Sequence, residues 1–287
     1  MTQPQDRPSF YQAMSYPCPL ESEYYRYISE VQTTSSKAAY APQRASFSRS
    51  HKTERMQSYE AFVTRYSKLF RWLPFVTQVY LCNSMTFNAL HKDSDIDLVI
   101  LTKPWYLRYA RVWSWMLVAL QGLRRRPGKG HHAYKFCLSF YIDAEHSNLI
   151  SLRQDSGDIY LSYRIAHAVL IYTDHQYSDD YLFRSNPQLL SYLPHHPHTQ
   201  TINLDIPLVR GKARGAYMIE LAGSTWIGNI IQRGIQRLRG DLINHYKNKK
   251  LSHYQQQYIV ISPTMLKFHN DKRVLYHRRR KDTIANR

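Results

Sequence analysis

The chain has 287 residues and is 43% hydrophobic, enough for one large domain or about two or three small ones with a real core. Lys and Arg outnumber Asp and Glu by 39 to 21, a formal charge of +18 that favours polyanionic partners over general solubility charge as its explanation. Three widely spaced cysteines, Cys18, Cys82 and Cys137, form no CxxC pair; this argues against a disulfide framework or zinc site and for small buried thiols in a reducing compartment.

Taken in chain order, MTQPQDRPSF lacks the charged-then-apolar pattern of a signal peptide. Residues 10–31 predict a short helix, a turn at Tyr16-Pro17-Cys18-Pro19, and a second helix over 21–31. Residues 33–49 are rich in Ser, Ala and Arg and read as a loop or small hairpin. Phe62, Tyr66, Leu69, Phe70 and Leu73 repeat at helical spacing, predicting a helix over 54–73 that Pro74 ends. Strands are expected over 76–82, 95–101 and 135–142, with a loop and short helix over 83–91 and a long helix from near Pro104 to 123. The most apolar stretch, 112–120, is too short to span a bilayer, so the protein is expected to be cytoplasmic with no membrane partner. Its aromatics, from Trp105 to Trp115, read as core.

Arg124 to Arg126 open a basic turn and read as solvated cations at a helix C-terminus, with contact to a triphosphate or a nucleic-acid backbone the alternative. Beyond 150, helices are expected over 158–172, 178–193 and 214–248, the last breakable at Gly223 or Gly240. A Pro/His linker covers 194–201 and a short strand 258–262. The alternation of strands and helices predicts a mixed α/β class, α+β or α/β, with a small mixed sheet and flanking helices.

The chemistry concentrates in LCNSMTFNALHKDSDIDLVI, residues 81–100. On a strand, Asp95 and Asp97 point to one side while Ile96, Leu98 and Ile100 point to the other, into a core. Two carboxylates that close are costly unless a cation sits between them. Magnesium, held by one or two carboxylates plus substrate phosphates, meets that need. Upstream, Asn83 and Ser84 end a strand and enter a helix, a junction whose backbone N–H groups cradle phosphate, with the Ser84 hydroxyl as a further donor. The alternative is that Asp93-Ser94-Asp95-Ile96-Asp97 forms a solvated turn.

The segment resembles the nucleotidyltransferase signature of the DNA polymerase β superfamily: a hydrophobic strand, Gly-Ser or Gly-Gly, about ten residues, then Asp-hydrophobic-Asp-hydrophobic. Here 79–82 is the strand, Ser84 matches the Ser, and Asp95-Ile96-Asp97-Leu98 matches the metal-binding part. Asn83 stands where the family has Gly; if the position needs a positive φ, Asn is the best substitute. The resemblance implies transfer of a nucleoside monophosphate from an NTP, with two Mg2+ ions held by Asp95 and Asp97. It also implies a third carboxylate on the third strand, serving as ligand and base. Within KFCLSFYID, Cys137, Ser139, Tyr141 and Asp143 share one face by strict alternation, so Asp143 is the candidate; otherwise it is a strand-end turn residue, with Glu145 the weaker choice. Lys135, just before that strand, is positioned to neutralise phosphate.

The chain is also similar, over about 9–280, to a group of bacterial nucleotidyltransferase-domain proteins with an N-terminal winged-helix-like segment. Phe10-Tyr11, Tyr16-Pro17-Cys18-Pro19-Leu20, Glu23 and Arg26-Tyr27 carry that likeness, as do Leu73-Pro74-Phe75-Val76 and Met265-Leu266-Lys267-Phe268-His269. The implied organisation is a winged-helix-like segment over 1–55, a nucleotidyltransferase core over 56–150, and a helical region with a basic tail over 151–287. Two readings stay open for the first segment, a nucleic-acid-binding module and a helical cap. Two stay open for the whole chain. It is a magnesium-dependent enzyme acting on a nucleic acid or protein acceptor, or a silent fold serving as a nucleic-acid-binding regulator or antitoxin-like partner.

Overall fold

Helix α1, Glu54–Tyr66, starts where Thr53 caps it: the Thr53 hydroxyl accepts from the Met56 N–H at 3.2 Å, and Glu54 sits in the first turn, where the helix dipole favours an acid. Met56, Tyr59 and Val63, three and four residues apart, form its buried stripe. The helical spacing continues to Leu73, but residues Ser67–Trp72 tighten into a 3-10 turn. The computed structural model describes residues 53–86, 90–125, 132–152, 160–190, 204–225, 234 and 259–268. Of the expected winged-helix-like segment over 1–55 only 53–55, the start of α1, are described; the rest of it, the Pro/His linker and the basic tail lie outside the described residues.

Strands β1 (Val76–Cys82) and β2 (Ile96–Thr102) are buried along their whole lengths and pair antiparallel, Cys82 opposite Asp97. Helix α2, Leu107–Leu120, then carries the chain to β3, Phe136–Asp143, which pairs parallel with β2. Further strands follow: β4 (Val169–Thr173), β5 (Val209–Arg210), β6 (Val260–Ile261) and β7 (Met265–Lys267). All seven form one mixed sheet in the order β5-β4-β1-β2-β3-β7-β6. The mixed α/β class is therefore as expected, but the sheet is larger. A boundary at residue 150 would run through it, because β4 to β7 flank the central strands.

Each face of the sheet has its own core. Val79, Leu81, Ile96, Leu98, Ile100 and Tyr141 pack under α1 and α2. Tyr80, Cys82, Val99, Leu101, Phe140 and Ile142 pack under three short helices, α3 (Tyr160–Ala166), α4 (Tyr181–Arg184) and α5 (Pro187–Leu190). The segment expected to form one helix over 158–172 is thus helix α3 followed by strand β4. The helical segment over 178–193 divides at Asn186, whose side chain accepts from Leu149 N–H at 2.7 Å and donates to the Ser147 and Leu182 carbonyls, and Pro187 opens α5.

One irregularity governs the site. Opposite β2, Asp97 pairs with Cys137 but Val99 pairs with Phe140, so two steps on β2 span three on β3. The extra residue is a β-bulge around the half-buried Leu138 and Ser139, and it reverses the alternation of everything beyond it.

Helix α6, Arg214–Gly223, ties down the opposite end of the sheet. Its buried Glu220 accepts from the Phe75 N–H, from Lys103 Nζ at 2.8 Å and from Lys212 Nζ, while Lys212 also reaches Asp174 at 3.0 Å. Phe75 holds φ +62° and stacks on Tyr106 with ring centres 4.1 Å apart. A side chain at Gly223 would meet the Phe75 ring at 2.7 Å, so this close approach requires glycine. Trp105 is 65% exposed and Trp115 is 39% exposed, which corrects their expected place in the core. Among the described residues no helix is long and apolar enough to cross a membrane.

Candidate functional site at the start of the parallel pair

The strand pair β2 and β3 begins with a hydrogen bond from the Ile96 N–H to the Lys135 carbonyl at 2.8 Å. The loop that leads in is held by α1: Tyr59 donates its hydroxyl to the Ser94 carbonyl at 2.6 Å and stacks on Tyr134, and Arg55 reaches the Leu90 carbonyl at 3.2 Å. Ser94 closes the turn by accepting from the His91 N–H at 2.7 Å. Asp95 is thereby fixed just ahead of β2 and Asp97 one residue inside it.

Across from them, β1 ends in a 3-10 turn over Asn83–Met85. Asn83 has φ +64°, so the position does demand a left-handed residue, which asparagine tolerates better than other side chains. Its amide also does what glycine could not: Nδ2 donates to Asp97 Oδ2 at 2.7 Å, with both residues buried. That bond fixes one carboxylate oxygen. Ser84 follows in the turn, itself buried.

The structure brings together Asp95, Asp97 and Cys137, whose potential ligand atoms all lie within 4.8 Å of one another. It does not bring Asp143 there. The bulge puts Asp143 on the opposite face from Cys137, and the parallel register pairs it with Thr102 at the far end of β2. Six steps along the strand separate it from Cys137, roughly 15–20 Å. At that end its Oδ2 accepts from the Trp105 N–H and its Oδ1 from the Glu145 N–H, both at 3.0 Å, so its carboxylate is a backbone cap and not a third ligand. Strict alternation along β3, the basis of the expectation, fails at Leu138 and Ser139.

Lys135 is likewise turned away from the pair. Its ammonium donates to the Gly122 carbonyl at 2.7 Å, capping the end of α2. Among the described residues Arg125 does reach the carboxylates, although from sequence it reads more readily as a solvated charge. Its N–H donates to the Phe136 carbonyl at 3.1 Å, pinning its backbone beside β3. From there the guanidinium meets Asp95 Oδ2 at 2.7 Å and Cys137 Sγ at 3.5 Å. Burial alone would depress its pKa; Asp95, then Cys137 and Asp97, outweigh that and raise it, so the charge is permanent.

Two further buried cations lie in apolar runs, and of these only Lys267 falls in a segment that the sequence singles out. Arg164 on α3 is fully buried, donates to Cys82 Sγ at 3.3 Å and lies over the Phe140 ring at 5.0 Å. Lys267 on β7 is buried where that strand pairs with Phe140. Burial pushes the Cys82 thiol up to about 11, with Arg164 opposing and Asp97 and Asp95 adding. Burial pushes Cys137 up well beyond its ordinary value, Asp97 and Asp95 push the same way, and Arg125 opposes. Both sulfurs are protonated thiols at neutral pH, as buried thiols among carboxylates should be.

No family model, curated protein or solved structure matches the chain.

The donor set therefore speaks for itself. Two carboxylate oxygens suit a hard divalent ion; the thiol in the third position is soft and protonated and adds little to magnesium.

Proposed function

We propose that the chain is a metal-dependent nucleotidyltransferase that moves a nucleoside monophosphate from a nucleoside triphosphate to an acceptor hydroxyl. The observation that carries this reading is the hydrogen bond from Asn83, left-handed in the turn after β1, to Asp97 on β2, with Asp95 beside it. A strand, a tight turn and a second strand bearing two convergent carboxylates is an arrangement that serves phosphoryl chemistry, which needs positioned charge more than covalent help.

Asp95 and Asp97 would hold Mg2+, as two ions in the arrangement that the resemblance implies. When bound, the metal neutralises phosphate charge and stabilises the in-line transfer. Asn83 holds Asp97 Oδ2, and Ser84 with the turn's backbone would bind the phosphates. Asp143 has no part in this reading, and the acceptor's proton is left to groups nearer the pair or to water. The charge of +18 supports a polyanionic acceptor such as nucleic acid, with a protein acceptor the other class.

A second reading is favoured by Cys137, which stands opposite Asp97 where a third carboxylate would complete the metal site. In that reading the fold is catalytically silent and serves as a nucleic-acid-binding regulator or antitoxin-like partner. Incubation with Mg2+ and each labelled NTP separates the two. Pyrophosphate release that disappears in Asp95→Ala and Asp97→Ala is the expected result for the enzyme. Absence of release with every NTP, together with salt-sensitive DNA binding, would establish the regulator instead.

A further inference from the structure

Resting on the reading of Asp95 and Asp97 as a metal site, we infer that Arg125 makes that site select a metal–triphosphate complex over the bare cation. The guanidinium occupies Asp95 at 2.7 Å and touches Cys137 at 3.5 Å, among the very atoms a metal would take. The two carboxylates therefore do not await a cation to relieve their repulsion. Arg125 faces Asp95 directly, and Arg164 reaches Cys82, the residue paired with Asp97 across β1 and β2. With the pair already balanced in this way, a bare dication gains little and meets a neighbouring positive charge.

A triphosphate changes the balance, because it brings four negative charges at most and offers the forked guanidinium oxygens to grip. Arg125 is built for that transfer. Its backbone is anchored to Phe136, so the stem origin is fixed, while its side chain keeps 23% exposure and a path toward solvent. It leaves Asp95 to the metal and moves onto phosphate as the complex arrives. The substrate class so selected is a polyphosphate bearing its own divalent ion, entering as one unit.

The test uses Mn2+ as a spectroscopic probe and inorganic tripolyphosphate as a base-independent anion, on the full chain. Arg125→Met keeps the stem and removes the charge, and Arg125→Lys keeps the charge. The native chain should bind Mn2+ alone weakly and at least about tenfold more tightly with tripolyphosphate, the size of an ordinary coupling between ligands. Arg125→Met should bind Mn2+ alone about tenfold more tightly than the native chain and lose most of the enhancement, while Arg125→Lys should stay near native. Equal affinity of the native chain and Arg125→Met for Mn2+ alone would overturn the role of Arg125 and leave the metal site standing. No Mn2+ binding by any of the three, with or without tripolyphosphate, would overturn both.

Discussion

The parallel strands β2 and β3 have carboxylates at both ends, and the two ends use them differently. At the far end Asp143 accepts from two backbone N–H groups, and Glu220 accepts from the Phe75 N–H and two lysines. Those partners belong to the framework, so the acids there lock segments in place. At the near end the buried Asn83 amide donates to Asp97, while Asp95 pairs with the partly exposed guanidinium of Arg125, which can leave without moving a strand. An acid that ties several segments together is spent on the fold; an acid paired with a partly exposed arginine can exchange that partner. The comparison explains why counting acids along β3 selects the wrong one.

Four changes test that contrast. The largest effect belongs to the near end: Asp97→Asn, which keeps an oxygen for the Asn83 amide, should lower pyrophosphate release by about a hundredfold or more, the kinetic equivalent of losing several kcal/mol of charge stabilisation, with a melting temperature close to native. A melting temperature that fell in parallel with activity would show Asp97 to be framework like its counterparts. Glu220→Gln reverses the pattern. Leaving Lys103 without its carboxylate and Lys212 with Asp174 alone should cost about 3 kcal/mol in urea unfolding, with the activity of the folded fraction retained.

The third change concerns pH. Cys82 is raised from 9.0 to about 11, so the stability it contributes is fully present below 9.0 and is lost as pH rises through about 11. Cys82→Ala should therefore flatten the fall in stability across that window, measured by chemical unfolding at a series of pH values. The smallest effect is expected at Asp143→Asn, which keeps an oxygen acceptor for one of its two N–H partners and should cost about 1 kcal/mol without altering Mg2+ dependence. A changed Mg2+ dependence in that variant would return Asp143 to the site.

Much of the central architecture was legible in the residues. The strand over 76–82 matches its observed bounds, and the left-handed demand at position 83 follows from an asparagine standing in a glycine's place. The pairing of Asp95 with Asp97 was readable because strand alternation is local. What failed depended on distant or irregular features. The run Val169 to Thr173 suits a helix or a strand by its apolar residues, and only its antiparallel pairing with β1 makes it a strand. Arg125 looked solvated because helix-end arginines usually are; nothing local says that Asp95 will stand 2.7 Å away. Arg164 reached Cys82, the partner of Asp97, only through the packing of α3.

The bulge at Leu138 and Ser139 also uncouples the two halves of β3. In an unbroken strand, any shift that re-aims the first residue re-aims the last, so a change at Cys137 would be transmitted to Tyr141 and Asp143 in the far framework. A slack residue between them absorbs the phase. A displacement of the strand around Cys137 can therefore be taken up at the bulge while the anchoring half keeps its register against β2 and β7.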